Sequence, residues 1–429
     1  MSERTAARPL APTVAQIPGA ATSPPWLMGL FLVVALVKIP GTSLFPAPGL
    51  LLALALSPLV VRDGRRDKRL LLLAGAGLCA FVSGFFTAAY TPATAGRPGT
   101  AFVAVTLCAW LLCIPLLVAF ILWAGRALSI RGVAIVLATS GIISAVLNEP
   151  LAWKGSLGVY VTLLVLALVW DRSMLFTRGV LVVSAVLSAI NDARYMALVA
   201  MLTVVATFVG PSVRQAFARH PIRWSLLAVG ALLLLARGAI LAMQSGLLGR
   251  AIALRTQNQF VGGRSWVEAA RTEWAATLQL FSSHPWGFGI GEVTNGGLAR
   301  EAITQVQSVG GDYSSSYFLV DVFGARVDLH SMTADLWYHF GIGGVLLVAT
   351  IALLLLASLP LALSTIRTGG ALLAFATLAG GWDLLFSPMG NLDRLIFAVS
   401  IGLLFTRRVR SKTDPAGSLP ATEEVALRS

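Results

Sequence analysis

The sequence predicts an all-α polytopic membrane protein with about twelve transmembrane helices, and three observations lead to this class. Of the 429 residues, 57% are hydrophobic and only 12% are charged, whereas an average soluble domain carries about 25% charged residues. Apolar runs of about 20 residues, the length that an α-helix needs to cross a bilayer, recur along the whole chain. These runs are continuous and do not alternate with polar residues, which excludes a transmembrane β-barrel.

The apolar runs also place the individual spans and the segments between them. Nine helices are expected within 27–243 and three within 334–406, preceded by a disordered cytoplasmic tail (1–26) and followed by a cytoplasmic tail (407–429). The spans are expected at 27–45, 47–61, 70–90, 101–124, 132–148, 156–170, 179–191, 194–210, 225–243, 334–358, 370–386 and 393–406.

Basic residues in the short loops set the orientation, with both termini on the cytoplasmic side. The inner segments then hold 20 of the 32 Lys and Arg residues and seven of the 19 acidic residues. The whole formal net charge of +13 therefore lies on the inner face. Such a distribution indicates contact with anionic membrane lipid and does not require a nucleic acid partner.

One outer connection, residues 244–333 between the ninth and tenth spans, is long enough to be functional. Within it, residues 264–283 are expected to form an amphipathic helix for the membrane interface. Its apolar stripe has helical spacing and consists of Trp266, Ala270, Trp274, Leu278 and Phe281. The sequence "HPWGFGIG" (284–291) then predicts a turn, because it contains one proline and three glycines.

The tenth span begins with "LHSMTADLWYHFGIGG" (329–344). Ser331 or Thr333 is expected to cap this helix, and Asp335 suits the positive end of its dipole. His330 would then lie at the outer membrane surface before a helix N-terminus, which favours the neutral imidazole that a general base needs. An ordinary interfacial histidine is the alternative interpretation.

Two further polar residues and a glycine motif follow in the same span. Asp335 and His339 are four residues apart and can pair on one helix face, so a structural contact between helices is favoured for them over catalysis. The motif "GIGG" (341–344) predicts close helix packing, because small residues let backbones approach.

Arginines near the outer face are the candidate anion-binding residues. Arg194 is expected in a short outer turn, Arg237 in the outer half of the ninth span, and Arg264 and Arg271 in the loop helix. Guanidinium groups bind phosphate oxygens in a bidentate manner, so several of them would hold a diphosphate. Each one alone could equally be a solvated or snorkelling charge.

Other kinds of site find no support in the sequence. It contains no Walker, HExxH or GxSxG motif and no acidic cluster in an outer loop, so neither a cofactor nor a metal is expected. Cys79, Cys108 and Cys113 all fall within apolar runs and predict no disulfide framework.

Three segments together resemble the O-antigen ligase and O-antigen polymerase-like membrane glycosyltransferases. "NDARYMAL" resembles the Ser-Arg turn of that family, with Ala193 at the place of the serine. "GGRSWVEAARTEWAATLQLFSSHPWGFGIG" resembles its Arg…Trp…Pro-x-x-Gly-x-Gly stretch. "HSMTADLWYHFGIGG" resembles its His-Asn with glycines eleven and fourteen residues after the histidine; here Ser331 replaces the asparagine, and Gly341 and Gly344 keep the spacing.

The resemblance implies a GT-C-like helical fold and catalysis on the outer face of a bacterial plasma membrane. A glycan on a polyprenyl diphosphate, typically undecaprenyl, would be transferred to a hydroxyl acceptor on a glycan, lipid or protein, without a metal and with inversion. By the same resemblance, His330 would deprotonate or orient the acceptor, while Arg194 and Arg264 would neutralise the leaving diphosphate.

The sequence is compatible with more than one function. A ligase that transfers a finished chain and a polymerase that adds repeat units are not distinguished by the motifs. The second hypothesis is a polysaccharide or lipid-linked oligosaccharide transporter or flippase, since such proteins often have twelve spans. It predicts two similar halves and polar residues near the bilayer midplane, and the sequence shows neither clearly. A membrane assembly protein without catalysis is the third hypothesis, and it would not need His330 and the arginines to converge.

Overall fold

The computed structural model describes residues 67–148, 153–191, 193–247, 273–308, 317–364, 369–389 and 396–413, and isolated positions between 29 and 37 and between 249 and 257. This part of the chain is mostly helical. Its helices are α1 (Lys68–Tyr90), α2 (Ala101–Ala127), α3 (Ile130–Asn148), α4 (Gly158–Leu168), α5 (Met174–Ile190), α6 (Arg194–Ala206), α7 (Pro211–Arg219), α8 (Pro221–Gln244), α9 (Glu273–Ser283), α10 (Gly296–Ser308), α11 (Met332–Ser364), α12 (Ala371–Phe386) and α13 (Ile396–Thr413). Two short strands, β1 (Gly96–Pro98) and β2 (Glu292–Thr294), and two π-helical turns, Trp153–Leu157 and Phe318–Val322, complete the elements.

The apolar helices are those of a membrane-embedded protein. Within the described residues, four helices are long and apolar enough to cross a bilayer, namely α1, α2, α3 and α11. Every predicted span from 70–90 onward overlaps a helix, while those at 27–45 and 47–61 lie almost wholly outside the described residues, as does the N-terminal tail. Of the predicted C-terminal tail (407–429), residues 407–413 continue α13 and the rest lie outside the described residues. The number of twelve spans stays a prediction.

Polar residues define where several of these helices begin. The side chains of Asp67, Thr100 and Ser173 accept hydrogen bonds from backbone amides in the first turns of α1, α2 and α5. Such caps satisfy amides that have no partner within the helix. These caps explain why helices made of apolar residues with little helical periodicity nevertheless begin at defined residues.

The helices α1 and α11 pack closely through the "GIGG" motif, as the sequence predicts. A Cβ atom on Gly343 would lie 2.6 Å from the Cys79 carbonyl oxygen and 2.8 Å from the Ala80 Cα atom. The Gly343 amide also donates to the Ser83 hydroxyl at 3.1 Å. The small residues therefore allow direct backbone contact between the two helices.

The helix α11 is broken at Gly341. The sequence predicts one continuous span at 334–358, without this break. Gly341 has φ 57° and ψ −140°, a conformation that glycine adopts readily and other residues rarely do. A Cβ atom there would lie 2.5 Å from the Trp286 carbonyl oxygen and 2.7 Å from the Thr87 hydroxyl. The first turns of α11 can therefore point in a different direction from the rest of the helix.

Much of the long connection between α8 and α11 forms a hydrophobic core against the first turns of α11. Its buried members come from α9, the 284–291 turn, β2, α10, the 318–329 segment and α11, and include Leu280, Phe288, Val293, Ile303, Phe318, Trp337 and Tyr338. The strands β1 and β2 pair antiparallel, with Arg97 opposite Val293, and tie the α1–α2 turn to this segment. The mostly helical structure is consistent with the predicted all-α membrane protein, to which it adds this one small sheet.

The described part of the predicted loop helix is α9; residues 264–272 lie outside the described residues. It buries Ala275, Ala276 and Leu280, whereas Leu278 and Phe281 of the predicted stripe are 54% and 47% exposed. The helix thus packs through small residues and presents an apolar face outward, as an interfacial helix would.

Candidate active site

His330 lies at the start of α11 in a left-handed backbone conformation. Its φ is 54°, and every other described residue with positive φ is a glycine. Such a conformation is unfavourable for a residue with a Cβ atom and tends to persist at functional sites. The next residue, Ser331, caps α11, since its hydroxyl accepts from the Ala334 amide at 3.3 Å and its carbonyl from the Asp335 amide at 2.8 Å.

Asp328 holds both the backbone and the ring of His330. Its Oδ1 accepts from the His330 amide at 3.0 Å, and its carbonyl oxygen lies 3.1 Å from His330 Nδ1. Arg326 fixes the other carboxylate oxygen through an ion pair of 2.8 Å. A carbonyl oxygen only accepts, so Nδ1 carries the hydrogen in the neutral ring and Nε2 carries the lone pair.

The other ring nitrogen faces Tyr317 and, through it, Glu273. His330 Nε2 lies 3.4 Å from the Tyr317 hydroxyl oxygen, which donates its hydrogen to Glu273 Oε1 at 2.9 Å. Glu273 is only 2% exposed. Its second oxygen, Oε2, has no hydrogen-bond partner within the described part of the chain.

Asp335 fixes the segment that carries His330 against the end of α12. Its two oxygens accept from the Leu329 amide at 2.7 Å and from the Met389 amide at 2.9 Å. The side chain is buried. Asp335 therefore has a structural role at the site, as the sequence analysis favoured.

His339 is also buried, but it does not pair with Asp335 among the described contacts. Its Nε2 lies 3.0 Å from the Val327 carbonyl oxygen. The predicted pair on one helix face is thus replaced by three contacts with loop backbone, two made by Asp335 and one by His339. The i to i+4 spacing allowed pairing, but each side chain bonds to backbone outside α11 instead.

The "HPWGFGIG" turn packs directly on the first turns of α11. The Tyr338 carbonyl oxygen accepts from the amides of Phe288 at 2.8 Å and Gly289 at 3.1 Å. The Trp337 indole donates to the Pro285 carbonyl at 2.9 Å, and the Phe288 and Tyr338 rings stack with centroids 4.5 Å apart. Two of the three motif segments therefore form one structural unit beside His330.

Arg194, from the remaining motif segment, is exposed at the first residue of α6. The neighbouring Tyr195 stacks on Trp382 of α12 at a centroid distance of 5.6 Å. Three residues after Trp382 in α12, the Leu385 carbonyl accepts from the Trp274 indole of α9 at 3.3 Å. Thr333, the other predicted cap, instead donates to the Leu384 carbonyl at 2.8 Å. The start of α6 and the start of α11 are thus linked through one end of α12.

Of the other three predicted arginines, one lies in the described part of the chain. Arg237 is exposed on α8. Arg264 and Arg271 lie outside the described residues. Their binding of a diphosphate stays a prediction.

Sequence analysis missed Glu273, Tyr317 and the Arg326–Asp328 pair as parts of the site. Glu273 lies inside a segment that reads only as an amphipathic helix, and Tyr317 belongs to an aromatic-rich loop. The spacing of Asp328 two residues before His330 is the only local signal, since an aspartate commonly bonds to a backbone amide two residues on.

No protein-family model matches this chain, and a comparison with curated proteins finds no match.

Proposed function

We propose that this protein is a membrane glycosyltransferase that moves a glycan from a polyprenyl diphosphate to a hydroxyl acceptor on the extracytoplasmic face. The observation that carries the proposal is His330 itself. Its backbone is held in a rare conformation, its Nδ1 is occupied by the Asp328 carbonyl, and its Nε2 carries the lone pair in a side chain that is 24% exposed. This is the arrangement that a general base requires.

The chemistry assigned to this site is a single displacement. The acceptor oxygen attacks the anomeric carbon while its proton passes to His330 Nε2. The bond between the anomeric carbon and the diphosphate oxygen breaks, and its electron pair leaves with the diphosphate. Attack from the side opposite the leaving group gives inversion at the anomeric carbon.

Cations are needed to neutralise the leaving group, and arginines are the candidates for this role. Arg194 is exposed at the start of α6, which is linked through α12 to the start of α11. We assign Arg194 and Arg264 to the diphosphate, with Arg237 and Arg271 as additional cations. Preorganised positive charge at a departing diphosphate would lower the barrier by several kcal/mol, roughly the scale of other electrostatic sites.

Genetic complementation tests the proposal. The gene is deleted, and surface glycans are compared by mass and linkage before and after restoration with wild type or His330→Ala. We expect the alanine variant to reach the membrane in normal amount and to leave the glycan unfinished. His220→Ala, which removes an exposed histidine before α8, serves as the matched control and should restore it.

Full restoration by His330→Ala would overturn the assignment of the base. Normal surface glycan in the deletion strain itself would overturn the assigned function in that strain.

A further inference from the structure

The Tyr317 hydroxyl donates its hydrogen bond to a buried carboxyl group. Tyr317 has one O–H hydrogen, and the geometry directs it to Glu273 Oε1 at 2.9 Å. The oxygen of the same hydroxyl lies 3.4 Å from His330 Nε2. Tyr317 therefore presents a lone pair to the imidazole and has no hydrogen left to donate to it.

This orientation distinguishes between the two states of the ring. In neutral His330, Nε2 also carries a lone pair, so the Tyr317 contact leaves it available to a substrate hydroxyl. Once Nε2 has taken a proton, its N–H can donate to the Tyr317 oxygen. The contact is therefore weak before proton transfer and becomes a hydrogen bond after it, which is the differential stabilisation that accelerates a reaction.

We propose that Glu273 and Tyr317 are positioning residues for His330: the carboxylate fixes the direction of the tyrosine hydroxyl, which keeps Nε2 free for the acceptor and then stabilises the imidazolium. This inference rests on the proposed function and adds two residues to its site. Glu273 is buried and does not reach substrate, so it acts through Tyr317. Among the described residues the buried Oε2 has no hydrogen-bond partner, which is costly for stability, and the assigned role accounts for it.

The other charged groups around the imidazole within the described residues lie on the opposite side of the ring or along the backbone. Arg326 pairs with Asp328, whose carbonyl and Oδ1 face Nδ1 and the His330 amide. Asp335 is bonded to the Leu329 and Met389 amides. Glu273 is the described carboxyl group that is linked to Nε2, so its removal should act mainly on that nitrogen.

The first experiment measures transfer rates against pH in membranes that contain wild type, Glu273→Gln, Tyr317→Phe or both changes. Each single change should lower kcat about tenfold or more, with little change in KM, since the hydrogen bond forms as the proton is transferred and is absent when the substrate first binds. The acidic limb of the profile should move to lower pH by about half a unit or more, because the imidazolium loses a neighbouring anion or its hydrogen-bond acceptor. The double variant should be no worse than Tyr317→Phe, because Glu273 acts through that hydroxyl.

Glu301→Gln is the matched control, since it removes one carboxylate from an exposed position on α10. Tyr338→Phe controls for loss of a buried hydroxyl, which here bonds to Thr294 at 2.7 Å and not to His330. Neither control should move the acidic limb. The membrane content of each variant and its thermal unfolding in detergent show whether it has folded.

A second experiment does not depend on activity. Diethyl pyrocarbonate modifies the unprotonated imidazole, and mass spectrometry of the His330 peptide gives the modification rate against pH. The midpoint should move to lower pH in Glu273→Gln and in Tyr317→Phe, and it should stay in place in Glu301→Gln.

The outcomes distinguish a failure of the positioning role from a failure of the proposed glycosyltransferase function. If wild type transfers glycan and His330→Ala does not, yet both positioning variants keep the wild-type kcat and modification midpoint, this inference is wrong and the proposed function stands. Additive losses in the double variant would also overturn it. If Glu273→Gln does not fold, the midpoint in Tyr317→Phe decides: an unchanged value overturns the proposal.

Discussion

The Asp335 carboxylate accepts a hydrogen bond from the Leu329 amide at 2.7 Å, one residue before His330. Asp335 lies one turn inside α11, so the helix reaches back to hold the segment that enters it. The second carboxylate oxygen binds the Met389 amide after α12. One buried side chain thus sets the position of His330 relative to two parts of the fold.

Replacing Asp335 by asparagine should therefore reduce both stability and transfer. The amide group turns one acceptor into a donor, which leaves the Leu329 or Met389 amide unsatisfied at a cost of about 1–3 kcal/mol. Thermal unfolding in detergent and glycan transfer would both be measured. Asp171→Asn is the control, since that side chain is 73% exposed and pairs with Arg131; an equal loss in both variants would contradict the anchoring role.

The backbone conformation of His330 predicts a difference between two substitutions that both abolish the base. His330→Gly should be more stable than His330→Ala by about 1 kcal/mol, because a left-handed residue with a Cβ atom is strained by that order. Both should lack transfer, and added imidazole should restore part of it only in the glycine variant, which leaves more room. Equal unfolding temperatures would indicate that the left-handed conformation is absent.

The break in α11 predicts that Gly341 cannot be replaced. A Cβ atom there would meet the Trp286 carbonyl oxygen and the Thr87 hydroxyl in a backbone conformation that alanine avoids. Gly341→Ala should lower the free energy of unfolding by about 2 kcal/mol or more, as overpacked buried sites do. Gly381→Ala in α12 has open space around it and should be neutral or stabilising by about 0.5–1 kcal/mol.

The proposed diphosphate contact makes Arg194 sensitive to loss of charge. Arg194→Gln should lower transfer about tenfold to a hundredfold, because one charge-assisted contact to a departing phosphate is worth about 1.5–3 kcal/mol. Arg194→Lys should retain part of the rate, since the charge remains but bidentate geometry is lost. Arg131→Gln removes a partly exposed arginine in the first turn of α3 that pairs with Asp171, and it should leave the rate unchanged.

The described helices and the start of α11 agree with the sequence because both follow from local rules. Apolar length fixes a span, and Ser331 marks a helix start regardless of what surrounds it. The break at Gly341 and the β1–β2 pair could not be predicted in the same way. The first depends on Trp286 and Thr87 approaching from elsewhere in the chain, and the second joins segments that are almost 200 positions apart.

Long-range contacts are also the reason why the partners of Asp335 and His339 and the role of Glu273 could not be predicted. Asp335 and His339 have the spacing of a helical pair, but long-range backbone groups, Met389 and Val327, compete for them successfully. Glu273 becomes relevant only when α9 meets Tyr317, a contact that no spacing in the sequence encodes.

The most direct measurement is transfer by the purified protein in liposomes. The lipid-linked glycan pool extracted from a deletion strain serves as donor together with its membrane acceptors, and release of free polyprenyl diphosphate is followed by mass spectrometry. We expect wild type to release it and His330→Ala to release at least a hundredfold less, the usual contribution of a general base. Movement of the intact lipid-linked glycan across the bilayer by wild type, with no free polyprenyl diphosphate formed, would contradict the account.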